Sequence, residues 1–261
     1  MEKELLGSLQ LNRVYQQECL QGMALIPDKS VDMVLCDLPY GTTKNKWDSI
    51  IDLEKLWDQY NRIIKDNGAI VLTASQPFTS LLVTSNIKNF KYEWIWKKNN
   101  ATGHLNAKRM PMKEHESVLV FYKKPSTYNA QGLIPYNKVT TRGHNGDNFG
   151  KSGTSNFQEY TNYPKTIQQF NYDKDKLHPT QKPLELFEYL IKTYTNEGDL
   201  VLDNCMGSGT TAVAALNTGR KYIGFETESK YIEVINQRIE SVSNEYTDNL
   251  LLENMNPSSQ E

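Results

Sequence analysis

No apolar run in this chain approaches the roughly 18 residues that a membrane-spanning helix needs, so a role that depends on helical insertion in a bilayer is not expected. The opening Met1-Glu2-Lys3-Glu4-Leu5-Leu6 is too acidic and too short for a secretory leader. Cysteine is scarce. Cys19, Cys36 and Cys205 stand far apart without metal-ligand spacing, and they read as free thiols of a reducing cytoplasm. His115-Glu116 lacks a third ligand, so no metal site is expected. An excess of one charge is also missing, since the formal net charge is −2 and gives the chain as a whole no pull on a polyanion. The glycine-rich turn at Gly207-Ser208-Gly209 has neither the G-x-G-x-x-G pattern nor a lysine after Gly209, which excludes the dinucleotide fingerprint and the phosphate-binding loop.

What is present is the composition of one large α/β domain or a domain with an insertion: 261 residues, 38% hydrophobic and 23% charged. The charge is unevenly spread. Between Lys97 and Lys124 there are seven Lys/Arg against two Glu, whereas from Glu226 to Glu261 eight acids face two basic residues. The near-neutral average therefore conceals one basic face suited to a phosphate backbone.

Strands are predicted at 11–15, 30–36, 69–73, 91–96, 117–122, 200–202 and 221–225. Helices are predicted from Asp52 to Asn67-Gly68, from Pro77 to Ile87 with Phe78, Leu81 and Leu82 inward, and over 183–195, 210–218 and 231–242. Tyr92, Trp94 and Trp96 alternate and read as core. Lys97 to Glu116 reads as irregular, Pro125 to Leu177 shows no periodic element longer than a few residues, and the chain from Asn244 reads as a frayed acidic tail. Alternating strands and helices imply an α/β fold, a Rossmann-like, mostly parallel sheet with helices on both faces. The expected organisation is one domain in two halves, 1–124 and 178–243, with an inserted irregular region at 125–177 and a tail at 244–261.

Two segments carry chemistry. Asp203-Asn204-Cys205-Met206-Gly207-Ser208-Gly209-Thr210-Thr211 lies between a strand and a helix, where glycines let the backbone approach a ligand and helix amides favour an anion. Glu226 ends the next strand, 23 residues after Asp203, where an acid pairs with ribose hydroxyls. Asp37-Leu38-Pro39-Tyr40 is a strand exit with a carboxylate, a rigid turn and an aromatic face. Taken singly, each could be a plain turn. Together they suit the alkylation of a ring amine, whose lone pair is delocalised. Asp37 and the Leu38 carbonyl, held by Pro39, can accept its two protons and free that lone pair, and Tyr40 can stack on an extruded base.

Asp37-Leu38-Pro39-Tyr40-Gly41 resembles the catalytic motif of amino-group DNA methyltransferases, the adenine N6 and cytosine N4 family. The 203–211 segment resembles their S-adenosylmethionine loop, and His178-Pro179-Thr180-Gln181-Lys182-Pro183 resembles the segment that precedes it. The catalytic motif before the cofactor motif is the order of the permuted β class. The resemblance covers about 14–239 apart from 125–177. It implies catalytic roles for Asp37, Leu38, Pro39 and Tyr40. It implies S-adenosylmethionine contacts from Glu18, Asp37, Lys182, Asp203, Asn204, Cys205, Gly207, Ser208, Gly209, Thr210, Thr211 and Glu226, with Glu18 at the adenine and Ser75-Gln76-Pro77-Phe78 lining the pocket.

Leu38 replaces a proline of the family motif, Asn204-Cys205 replace a Pro-Phe pair, and Glu18 stands for a shorter acid. The partner implied is double-stranded DNA. Lys97, Lys98, Lys108, Arg109 and Lys113 are placed on its backbone, and Arg142, with Asn145 and Asn148, is placed in the region that reads sequence. A homodimer and a cognate restriction enzyme are further partners that such enzymes have. Asp37, where cytosine N4 enzymes usually carry Ser, favours adenine N6. Cytosine N4 methylation, a non-catalytic DNA-binding relative, and methylation of RNA or a protein amide stay open.

Overall fold

A computed structural model describes residues 4–41, 49–141, 155–173 and 181–255. The first strands, β1 (Leu5–Leu6) and β2 (Leu9–Gln10), form a small antiparallel hairpin. Next come β3 (Arg13–Gln16), α1 (Cys19–Ala24) and β4 (Val31–Asp37). α2 (Leu53–Ile63) starts where Asp52 accepts the Lys55 amide, and β5 (Ile64–Ala74) follows without a break. Then come α3 (Phe78–Ser85), β6 (Phe90–Thr102), β7 (Lys113–Phe121), β8 (Ile134–Thr141), β9 (Ser155–Thr161) and β10 (Ile167–Gln169). The chain continues through α4 (Leu184–Tyr194), β11 (Leu200–Asp203), α5 (Thr210–Asn217), β12 (Lys221–Glu226) and α6 (Ser229–Met255).

The eight-stranded sheet runs β10-β6-β7-β5-β4-β11-β12-β3. Every pairing is parallel except the two made by β7. From β4 the chain winds one way through α2 to β5, and from β11 the other way through α5 to β12. The β4–β11 pair is thus the switch point, the place where open α/β sheets bind ligands. Side chains of β4 alternate between two cores. Val34 and Cys36 pack with α1, α2 and α3 through Met23, Leu56, Tyr60 and Leu82, and Met33 and Leu35 pack with α4 and α5 through Phe187, Ile191 and Ala212. Helices therefore cover both faces, as a parallel sheet requires. Among the described residues no helix is long and apolar enough to cross a membrane.

Several local expectations are corrected. α2 stops at Ile63 rather than at Asn67-Gly68, because Ile64 is extended and pairs with Val31, while Lys65 is ion-paired to Asp32 of β4 at 2.7 Å. Leu81 is 44% exposed, and α3 buries Phe78, Thr79 and Leu82 instead. Half of the segment 97–116 is strand, since β6 and β7 extend to Thr102 and from Lys113, while 103–112 between them is irregular apart from a 3-10 turn. Ladder hydrogen bonds use backbone groups and need no apolar side chains, which is why the polar sequence hid them. α6 runs on to Met255, where a frayed tail is expected from Asn244.

Two compact units are present, one of Met1–Tyr128 with Ile167–Glu261 and the other Asn129–Thr166. Among the described residues of the second, β8 and β9 form an antiparallel pair in which Val139 faces Phe157, both exposed.

Gly22 of α1 is needed for packing. A Cβ there would lie 2.4 Å from ring atoms of Phe225, a fully buried side chain with no room to retreat. Gly22→Ala is expected to cost about 2 kcal/mol by overpacking and to lower the melting temperature by roughly 5 °C in thermal unfolding followed by circular dichroism. An unchanged midpoint would show that α1 yields freely.

Candidate active site

β4 ends at Asp37 and β11 at Asp203, and the two strands are hydrogen-bonded neighbours. Both acids open into one cleft of about 700 Å³, within the roughly 300–1,000 Å³ of small-molecule sites. The sequence separation of 166 positions is thereby reduced to adjacent strands.

At the β4 end, the Asp37 carboxylate accepts three hydrogen bonds. Its Oδ1 accepts hydrogen bonds from the Tyr40 hydroxyl at 2.7 Å and from Thr73, its register partner on β5. Its Oδ2 accepts from Lys182 Nζ at 2.5 Å. Burial, with the nearby charge of Asp37, raises the Tyr40 phenol well above its ordinary range, so Tyr40 is a donor at all working pH values. The Tyr40 ring stacks on Phe78 at 5.4 Å between centroids. Leu38 is buried and Pro39 lines the cleft, which leaves the backbone of this turn as the polar surface beside Asp37.

Lys182 belongs to a line of buried charges. Its Nζ lies 3.4 Å from Glu116 Oε2, whose other oxygen accepts from Lys98 Nζ at 2.5 Å. Burial alone would raise Glu116 and lower Lys182. The opposite charges more than reverse both effects, leaving the acid below and the amine above its ordinary range.

At the β11 end, Asp203 accepts from the Cys205 amide at 2.9 Å and from the Thr211 hydroxyl, tying both ends of the glycine turn. Gly207 and Gly209 have φ of +54° and +84°, values that favour glycine. Burial pushes the Asp203 carboxyl up to about 6. Glu226 accepts the amides of Gly207, Thr227 and Glu228 at 2.8, 2.8 and 2.9 Å, and burial raises its carboxyl. Asn204 is held by the Tyr60 hydroxyl at 2.5 Å in the space a Pro-Phe pair would fill. Cys205 interacts with the thiols of both Cys19 and Cys36, and burial pushes Cys36 up to about 12, far from a reactive thiolate. Ser208, Thr210 and Thr211 line the same cleft. Glu18 lines it too, but its oxygens accept the Leu20 and Gln21 amides, each at 3.0 Å, as the cap of α1. Gly209 faces Ile235 of α6 and not the cleft, which corrects its expected ligand contact; the carboxylates of Asp203 and Glu226 and a backbone open at Gly207 suit a ligand with a positive centre and sugar hydroxyls, as S-adenosylmethionine has.

Other expected residues are distributed differently. Lys97, Lys108 and Arg109 are exposed, the last two beside the short 3-10 turn His104–Asn106. Lys98 is corrected: at 4% exposure and paired with Glu116, it is no backbone-binding residue. The alternation of Trp94 and Trp96, continued by two, puts Lys98 on the inward face, so the signal was in the sequence. Lys113 donates to Ser75 and lines the cleft, where burial lowers it. Arg142, Asn145, Asn148 and 178–180 lie outside the described residues. Sequence reasoning missed Thr73, Tyr60 and the role of Glu116, whose importance comes from strand register and helix packing.

A family model described as DNA methylase, of the N6/N4 group, matches residues 31–237. A type II methyltransferase of Moraxella bovis, M1.MboII, is 28% identical over 260 residues, spanning 87% of this chain and 96% of the relative. The DNA adenine methyltransferase YhdJ of Escherichia coli (strain K12) is 27% identical over 252 residues, spanning 87% and 82%. Among solved structures, the M1.HpyAVI–SAM complex matches with a TM-score of 0.61 at 25% identity over 87% of this chain and 98% of that one. The PvuII DNA methyltransferase, described as cytosine-N4-specific, shares the fold with a TM-score of 0.67 at 17% identity over 90% of each.

Proposed function

This chain belongs to the N6/N4 DNA methylase family of S-adenosylmethionine-dependent enzymes, and from that premise we propose that it methylates the N6 amine of adenine in double-stranded DNA. The observation that carries this reading is the pairing of β4 with β11, which brings Asp37 and the glycine turn into one cleft. S-adenosylmethionine supplies the methyl group on a sulfonium, which leaves as a neutral thioether. Asp37 and the Leu38 carbonyl accept the amine's N–H groups and release its lone pair for in-line attack. The proton lost from nitrogen passes to Asp37 and on to solvent. Tyr40, braced by Phe78, offers its ring to the extruded base. No cysteine takes part. Asp37 rather than Ser, and the adenine relative from E. coli, support adenine over cytosine.

The test is digestion to nucleosides and mass spectrometry of DNA from a methylation-deficient host expressing the chain. N6-methyladenine is the expected product. N4-methylcytosine would move the substrate to the other base, and neither product would end the reading.

Lys97, Lys108 and Arg109 bind the phosphate backbone in this reading. Lys108→Ala with Arg109→Ala is expected to weaken DNA binding and to reduce the slope of log K against log salt by about two. An unchanged slope in fluorescence titrations would remove this turn from the interface.

A further inference from the structure

Three of the roughly four acceptor positions of the Asp37 carboxylate are taken: Oδ1 takes two hydroxyls, and Oδ2, the oxygen with a position left, takes Lys182. The Lys182 ammonium also lies over the Tyr40 ring, 5.5 Å from its centroid. It therefore covers both features that the entering base needs, an N–H acceptor and an aromatic face. A base amine therefore competes with this cation for Oδ2, and a buried cation gives way cheaply only to another anion.

Such an anion is in place. Glu116 Oε2 is buried, forms a long ion pair with Lys182 Nζ at 3.4 Å, and receives no closer, well-aligned hydrogen bond among the described residues. Lys98 fixes the carboxylate by its other oxygen. A shift of about half an ångström brings Nζ within hydrogen-bonding distance of Oε2. Lys98, Lys182 and the neighbouring Lys113 face Asp37 and Glu116, and the move leaves the charge of the group the same in either arrangement.

We propose that Lys182 is a placeholder for the target amine, holding Asp37 Oδ2 in the free enzyme and passing to Glu116 Oε2 when the base enters. Both are positioning residues. The inference rests on the reading of Asp37 as the amine acceptor, and it assigns Glu116 a part that a merely structural ion pair would not have.

A double-mutant cycle tests it. Methyl transfer from labelled S-adenosylmethionine to unmethylated plasmid DNA is measured for wild type, Glu116→Gln, Lys182→Met and the double variant, with cofactor affinity by calorimetry. Glu116→Gln is expected to lower kcat/KM for DNA by about 10- to 100-fold, because Lys182 then stays on Asp37, with cofactor affinity within about threefold of wild type. In the Lys182→Met background the same change is expected to cost under about threefold, since no cation needs a second site. A Glu116→Gln loss of equal size in both backgrounds would overturn the placeholder role. A wild type that transfers no methyl group would overturn the amine-acceptor reading and this inference with it. If the variants fail to fold, the wild type in complex with its methylated-site duplex and S-adenosylhomocysteine decides: Lys182 on Glu116 supports the proposal, and Lys182 still on Asp37 refutes it.

Discussion

Asp37→Ala is expected to lower methyl transfer by at least about 10³-fold while leaving S-adenosylmethionine affinity within about threefold of wild type. The size follows from what the carboxylate does. An aromatic amine becomes a nucleophile only if its protons are drawn off the ring plane, and Asp37 is the charged acceptor placed to do so. The selectivity follows from the architecture, because the cofactor turn is tied by Asp203 and Glu226, neither of which hydrogen-bonds to Asp37. Alanine also strands Lys182. Removing one partner of a buried pair usually costs about 3–5 kcal/mol, and Glu116, 3.4 Å away, offsets part of that here. Asp37→Asn is therefore the companion variant: it keeps the volume and should lose activity with a smaller fall in melting temperature. Single-turnover transfer and calorimetric titration of the cofactor check both. Retained turnover per bound cofactor would sink the role given to Asp37.

The sheet and the two motifs were legible because they obey short-range rules. Apolar runs of strand length bounded by proline or glycine, such as 30–36 and 200–202, favour buried strands over helices, which need more residues. A glycine turn between strand and helix declares itself by residue type. Less legible was everything set by pairing across the sheet. Thr73 matters only because register puts it opposite Asp37, and Tyr60 only because α2 brings its hydroxyl to Asn204. Glu116 read as half of a weak metal pair, although its partners are two lysines from distant segments. The basic stretch was misjudged for a related reason. A charge count treats Lys97 and Lys98 alike, whereas the pleat of β6 sends one to the surface and the other into the protein. The pairing of β8 and β9 escaped because it stands in its own compact unit, and its polar strands carry no clean alternation.

A pH dependence of cofactor affinity with its midpoint near 6 is the second large effect expected, and Asp203 is its source. The side chain is 2% exposed, and burial lifts its carboxyl to about 6 from 3.8. The Thr211 hydroxyl, the Cys205 amide and the Cys36 thiol favour the ionised form, and the charge of Asp37 opposes it. A ligand carrying a permanent positive charge binds the ionised carboxylate better, so below about pH 6 binding must expel a proton. The dissociation constant is expected to rise up to tenfold per pH unit below about 6 and to be flat above about 7. Stability of the free protein moves the other way. The folded value lies above the unfolded one, so unfolding releases a proton between them. The contribution of Asp203 is then most favourable below about pH 4, falls by roughly 3 kcal/mol as pH rises to about 6, and is constant beyond. Asp203→Asn should bind the cofactor weakly at every pH and should lack this part of the wild-type stability slope between pH 4 and 6. Calorimetric titrations at half-unit steps from pH 5 to 8, with urea unfolding over pH 4 to 7, measure the two effects on the same samples. A wild-type dissociation constant that stays level from pH 5 to 8 would mean that no buried carboxylate in the cleft changes its charge when the cofactor binds, and Asp203 would then serve only to tie the glycine turn.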